Sequence, residues 1–206
     1  MTGGLPTADQ RPPERARRGT EPMLSRPTAH LHGLTLMELM LVVAIIGILA
    51  MLVVPNLMTS RSASNETAAI ASLRVYAVAQ VVFRTNDRDN NGLAEYAADF
   101  RDLYYLLDAT GDPIKLVVQN FADANAPDSA LSGYYFENLT SSPTGAYDHQ
   151  YDFGLAALPA KYNQTGVNTM VVDCLGTVYQ KDRRTGELLG GQYPDVESDG
   201  WLVSGQ

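Results

Sequence analysis

The sequence predicts an α+β fold, with one long N-terminal α-helix, membrane-spanning in its first half, packed on a small antiparallel β-sheet. Three observations predict it. Leu34 to Val54 is a run of 21 residues with a single charge, Glu38. Apolar residues then recur at helical spacing to about Arg84. From Gly133 onward, aromatic and β-branched runs are separated by turn residues. Helix first and strands after is the order of an α+β domain rather than of alternating βα units.

Residues 1–33 stand apart from this scheme. They hold five arginines against three acids, and five of the eleven prolines, with no sustained apolar period. Such a segment is predicted to be disordered and to lie outside the fold. It also biases the average. The whole chain of 206 residues carries −8, whereas the chain after residue 33 carries −10. That acidic balance speaks against nucleic acid as a partner, because a phosphate-binding surface needs excess Lys and Arg. The single cysteine, Cys174, excludes an intrachain disulfide and any cysteine-cluster metal site.

The apolar run matches a hydrocarbon layer. At ~1.5 Å per residue it spans about 30 Å. Arginines lie upstream and only Arg61 lies close downstream, which predicts a cytoplasmic N-terminus. Past the run the chain reads Pro55-Asn56-Leu57-Met58-Thr59-Ser60, with no A-x-A-like cleavage site, so a conventional signal peptide is disfavoured. An uncleaved single-span anchor carrying a binding module is the alternative. Glu38 is the costly residue, since a carboxylate in an apolar span costs about 2.5–3.5 kcal/mol on insertion scales. No partner for it is evident in its own sequence between Leu34 and Ser60.

Gly33-Leu34-Thr35-Leu36-Met37-Glu38 directly precedes and opens the apolar run. This resembles the prepilin peptidase site of type IV pilins and type II secretion pseudopilins. The resemblance implies a leader of residues 1–33, cleavage after Gly33 and methylation of the new Leu34 amine by the prepilin peptidase/N-methyltransferase. It implies a transmembrane and assembly helix at 34–57 and a periplasmic pilin-like α+β domain at 58–206. Thr35, Glu38 and Pro55 are then assembly residues, with Glu38 pairing the Leu34 amine of an adjacent subunit. Pro55, the 22nd residue after the cut, sits where the family places a helix-bending proline, and it removes a backbone donor. The implied partners are copies of the chain, other pilins or pseudopilins and the inner-membrane assembly platform. The implied location is the bacterial inner membrane, then a periplasmic or surface filament. Leu34 departs from the commoner Phe, and the leader is long; a start at Met23 would leave an 11-residue leader. A minor pilin with an adhesive role is a further alternative.

Beyond the span, Ile70, Leu73, Ala77 and Val81 form the expected buried stripe, with Arg74 and Arg84 off it. The helix should stop in Asn86–Gly92. There Asp87, Asp89, Asn91 and Gly92 match the first half of a calcium loop, with Leu93 and Glu95 as further ligands. Ala98 stands where a bidentate Glu belongs, and Asp99 comes one residue late. A Ca²⁺ site and a polar helix-terminating turn both remain open. Asp195, Glu197 and Asp199 form a second acidic segment, read either as a calcium loop or as solvated acids.

The remaining elements follow in order. Tyr96, Phe100, Leu103 and Leu107 predict a short helix capped at Gly111. Asp112-Pro113 then predicts the start of another through Phe121. Strands are predicted at 133–139 and 147–158, the latter ended by Pro159. A hairpin is predicted from Met170–Cys174 and Thr177–Gln180 around Leu175-Gly176. Cys174 is expected in the core and His149 at the surface. No Gly-x-Ser-x-Gly elbow, phosphate-binding loop or HExxH occurs, so the chain reads as a structural subunit rather than an enzyme.

Overall fold

A computed structural model describes residues 34–142 and 145–204. The expectation of a disordered leader, and Gly33 itself, lie outside the described residues. The chain divides into two units, one ending at Val43 and one running from Ala44. Of the first unit, residues 34–43 are described; they carry the start of helix α1 (Leu36–Thr85), with every side chain exposed.

In the second unit α1 continues through Pro55 to Thr85. It is followed by single helical turns α2 (Asp102–Tyr105) and α3 (Gln119–Ala122), a 3₁₀ turn (Pro127–Ser129) and seven strands. These are β1 (Tyr134–Leu139), β2 (Ser141–Ser142), β3 (Gly145–Ala146), β4 (Gly154–Pro159), β5 (Thr169–Val172), β6 (Val178–Lys181) and β7 (Leu202–Val203). Five form an antiparallel sheet in the order β1-β4-β5-β6-β7, while β2 and β3 form a small ribbon. The α+β arrangement read from the sequence is the one observed.

Strand alternation explains the core. Phe136, Leu155, Met170, Val172 and Val178 face one cluster, into which α1 sends Ala69, Leu73, Tyr76 and Phe83. Tyr135, Leu139, Ala156, Leu158 and Val171 face the other side, where Trp201 and the 189–196 segment cover them. Covering both faces accounts for the near-continuous apolar runs of β4 and β5, which are buried at every position and include one polar side chain, Thr169. Each buried Leu, Val or Met of these strands contributes about 1.5–3 kcal/mol by leaving water.

Several sequence expectations need correction. Of the expected stripe on α1, Leu73 and Ala77 are buried and Ile70 packs against the core, while the deepest line runs through Ala69, Leu73, Tyr76, Gln80 and Phe83, stepping by four or three residues. Val81, assigned to that stripe, is exposed, because the helix rolls to seat Tyr76 and Phe83 instead. The helix expected over 96–107 shrinks to α2. The one expected from Asp112 is absent up to Val118, where Lys115 adopts a positive φ of 52°. In its place residues 103–106 and 114–116 pair by backbone, with the Ile114 N–H on the Leu106 carbonyl at 2.9 Å and the Leu116 N–H on the Leu103 carbonyl at 2.8 Å. β-Branched Ile114, Val117 and Val118 suit this extended path better than a helix. The strand expected from Tyr147 begins only at Gly154, since Asp148 turns the chain through hydrogen bonds from Tyr151 and Asp152. The β5–β6 hairpin is found as expected, with Gly176 at φ 78° in its turn. Cys174 lies in that turn, half-buried against the core. His149 is half-buried, its carbonyl accepting the Tyr96 N–H at 2.7 Å.

Candidate functional site

Thr35 and Glu38 form the head of α1. Thr35 precedes the first helical residue, and its carbonyl accepts the Leu39 N–H at 3.1 Å. Its hydroxyl accepts the Glu38 N–H at 3.1 Å and donates to Glu38 Oε2 at 2.9 Å. The Thr35 backbone N–H donates to the same Oε2 at 2.8 Å. This reciprocal arrangement is a capping box, in which an N-cap threonine and a glutamate three residues on satisfy each other's backbone donors. It corrects the expectation that Glu38 lacks a partner in its own chain: the partner is a hydroxyl and an amide, not a cation. The spacing Thr-x-x-Glu was the sequence signal for it. Among the described residues Glu38 Oε1 takes part in no hydrogen bond, so the charge has one oxygen engaged and one open. Leu34, just before the box, is exposed.

Downstream of Glu38 the helix presents no charge until Arg61. Its large apolar side chains from Leu39 to Met58 are exposed to between 49% and 80% of their surface. Among the described residues α1 is the one helix long and apolar enough to cross a membrane, by length and composition. Pro55 lies within it and has no N–H to offer the Met51 carbonyl, while Asn56 Nδ2 donates to the Leu52 carbonyl at 3.3 Å.

The first acidic loop is tied up internally. Asp87 accepts the Asn91 and Gly92 N–H groups, both at 3.1 Å. Asn91 Nδ2 donates to Asp89 and to Glu95, each at 2.7 Å, and Asn91 Oδ1 accepts the Leu93 N–H at 2.7 Å. Burial, then a hydrogen bond shared with Asp87, pushes the Asp89 carboxyl above its ordinary range. Asp99 turns to a separate task, accepting the Arg101 N–H at 2.9 Å ahead of α2. In the second segment Asp195, Glu197 and Asp199 are exposed, and Asp195 accepts the Ser198 N–H at 3.2 Å. Among the described residues no group of three or more His, Cys, Asp or Glu is arranged to hold a metal ion.

Three polar residues that sequence reasoning passed over hold the domain to the helix and the sheet. Fully buried Gln80 bonds the Ala97 backbone in both directions and reaches the Tyr76 hydroxyl. Glu66 accepts the Val167 N–H at 2.8 Å and Asn168 Nδ2 at 3.0 Å, so a helix carboxylate secures the β4–β5 loop. Glu137 accepts the Leu189 and Gly191 N–H groups and secures the C-terminal covering segment. Gln80 was legible as a polar residue one heptad past Leu73 on the stripe; the other two left no signal in sequence.

The fold is a pilin-like α+β arrangement, with a long N-terminal helix that is exposed and apolar in its first half and packs on a small antiparallel sheet in its second. The chain belongs to the family described as Protein of unknown function (DUF2950), whose model matches residues 54–188. It is 27% identical over 190 residues to the Type IV major pilin protein PilA of Myxococcus xanthus (strain DK1622), an alignment covering 88% of this chain and 83% of the relative. No solved structure matches it.

Proposed function

We propose that the chain is the precursor of a structural filament subunit, a type IV pilin or a type II secretion pseudopilin. Residues 1–33 are its leader, 34–57 its membrane and assembly helix, and 58–206 its exported domain. A prepilin peptidase cuts after Gly33 and methylates Leu34, and an inner-membrane platform assembles the processed chains by bundling their helices. The relative named as a type IV major pilin favours the pilus over the pseudopilus.

One observation carries the reading: an exposed apolar stretch of helix, without charge from Leu39 to Ser60, is headed by a carboxylate that, among the described residues, has one oxygen engaged and the other open. The capping box satisfies Oε2, and the amine of a neighbouring subunit's Leu34 supplies a cation for Oε1. Such a pair relieves the cost of the carboxylate in an apolar setting. It also gives a register, which apolar packing in lipid does not, since lipid tails are as apolar as the helices they surround.

The test is mass spectrometry of the chain purified from membranes. A first residue of N-methyl-Leu34 is the expected result, and an intact leader overturns the reading. Electron microscopy of sheared cell-surface material then separates the two filament classes, because a pilus extends beyond the cell and a pseudopilus does not.

A further inference from the structure

Of the ten asparagines in the chain, only Asn91 is followed by glycine. An Asn-Gly pair can close on itself, the Gly nitrogen attacking the Asn side-chain carbonyl carbon, and a glycine without Cβ crowds that attack least. Ring closure calls for a base at the attacking nitrogen, a donor at the developing oxyanion and a proton for the departing nitrogen. The loop after α1 places a group at each of these atoms. The Gly92 N–H donates to Asp87 Oδ2 at 3.1 Å, and the Asn91 N–H holds the other Asp87 oxygen at 3.1 Å. The Leu93 N–H donates to Asn91 Oδ1 at 2.7 Å. Asn91 Nδ2 lies on Asp89 Oδ2 at 2.7 Å, and Asp89 is itself hydrogen-bonded to Asp87. Asn91 and Gly92 are exposed, and the space beside the Gly92 Cα, at φ 82°, is open. Nucleophile, oxyanion and leaving group thus each meet the partner their step requires.

We propose that Asn91 is a self-modifying residue, deamidating in the folded chain with Asp87 as base and Asp89 as relay to the leaving group. A bond forms between Gly92 N and Asn91 Cγ, and the Cγ–Nδ2 bond breaks. The proton lost from Gly92 N passes to Asp87 and through Asp89 to Nδ2, which departs as ammonia. Nothing is oxidised or reduced. Water then opens the resulting succinimide at either carbonyl, leaving aspartate or isoaspartate at position 91. The product has no amide with which to donate to Asp89 and Glu95, as Asn91 Nδ2 does. Its new carboxylate stands among Asp87, Asp89 and Glu95, where like charges repel. The loop therefore loosens irreversibly, at a rate set by its own geometry, and each molecule carries a chemical record of its age. Nothing in this chemistry depends on the filament reading.

The experiment follows the detergent-solubilised full-length chain, with chelator present, through incubation at neutral pH. Peptide mass spectrometry reads the replacement of NH₂ by OH at Asn91, and an isoaspartyl methyltransferase labels the isoaspartate product. The same chain in guanidinium chloride gives the rate without the loop. Folding ordinarily slows this reaction by holding the backbone away from the ring geometry. A faster rate in the folded chain than in denaturant, with isoaspartate formed, is the expected result. Asp87→Asn and Asp89→Asn keep the size of each side chain. Each is expected to slow the folded-state rate by about a hundredfold, the low end of general acid–base catalysis. Asp108→Asn, in a different turn, should convert at the parental rate. Unfolding midpoints show which variants are folded, and the folded-against-denatured comparison of the parent decides without any variant. The proposal is overturned by a folded rate no faster than the denatured one or by the absence of isoaspartate. A folded Asp87 or Asp89 variant that keeps the parental rate overturns it as well.

Discussion

The side chain of Gln80 and the backbone of Ala97 pair as two strands would. Gln80 Nε2 donates to the Ala97 carbonyl at 2.9 Å, and the Ala97 N–H donates to Gln80 Oε1 at 2.8 Å. A helix side chain thereby supplies both partners that the extended segment after Gly92 lacks from any neighbouring strand. The same Nε2 also donates to the hydroxyl of fully buried Tyr76, at 2.9 Å. Gln80→Leu is close in size but leaves the Ala97 N–H and carbonyl unpaired in the core. We expect it to cost about 2–4 kcal/mol, read as a lower unfolding midpoint of the detergent-solubilised chain. Gln80→Glu, which keeps an acceptor for the Ala97 N–H, should cost less at pH values where the new carboxyl is protonated.

Glu66 makes a second long-range connection, to Val167 and Asn168 about a hundred positions on in the chain. Glu66→Ala is expected to free the loop between β4 and β5 while leaving the sheet formed. Hydrogen exchange should show lost protection at Val167 and Asn168, with β5 amides unchanged. Equal loss across the sheet would mean that the clamp supports the whole domain.

Thr35 and Glu38 separate by mutation. Thr35→Val removes the hydroxyl that bonds Glu38 twice, at a cost of about 1 kcal/mol in helix capping, while Thr35→Ser retains it. Under the proposed function, Glu38→Gln should abolish filaments while the leader is still removed. Thr35→Ser should assemble normally and Thr35→Val poorly. Filament yield against N-terminal mass is the measurement, and assembly by Glu38→Gln at the parental level would remove its pairing role.

Asp87→Ala distinguishes the two readings of the acidic loop. As a turn residue, Asp87 holds the Asn91 and Gly92 N–H groups, so its loss should destabilise the chain by about 1 kcal/mol with or without Ca²⁺. As an ion ligand, it should in addition abolish a Ca²⁺-dependent rise in the unfolding midpoint. Calorimetry of the chain and the variant, each with Ca²⁺ and with chelator, gives the answer.

Two turns should loosen in acid. The Thr110 hydroxyl, then the Thr110 and Asp112 N–H groups, hold the Asp108 carboxyl below its ordinary value. The Ser198 hydroxyl, then its N–H, does the same for Asp195. A carboxyl depressed in the folded state stabilises the fold above its unfolded pKa, near 4, and that contribution is lost as pH falls through the lower folded value. Amide resonances of Thr110, Asp112 and Ser198 should therefore shift below about pH 4 and stay constant between pH 5 and 8.

Runs and local spacings were readable directly in the residues. The apolar segment after Gly33 needs no tertiary contact to be recognised, because its length and lack of charge are properties of the chain. The β5–β6 hairpin is equally local, set by two β-branched runs around Leu175-Gly176. Thr-x-x-Glu wrote the capping box into four consecutive residues. Tertiary structure decided which face of α1 is buried, since Val81 and Phe83 are both apolar and only packing against the sheet prefers Phe83. It replaced a helix after Asp112 with a backbone pairing to 103–106, a non-local choice that propensity does not contain. It also gave Gln80, Glu66 and Glu137 their roles, because a hydrogen bond between residues tens of positions apart depends on the fold that brings them together.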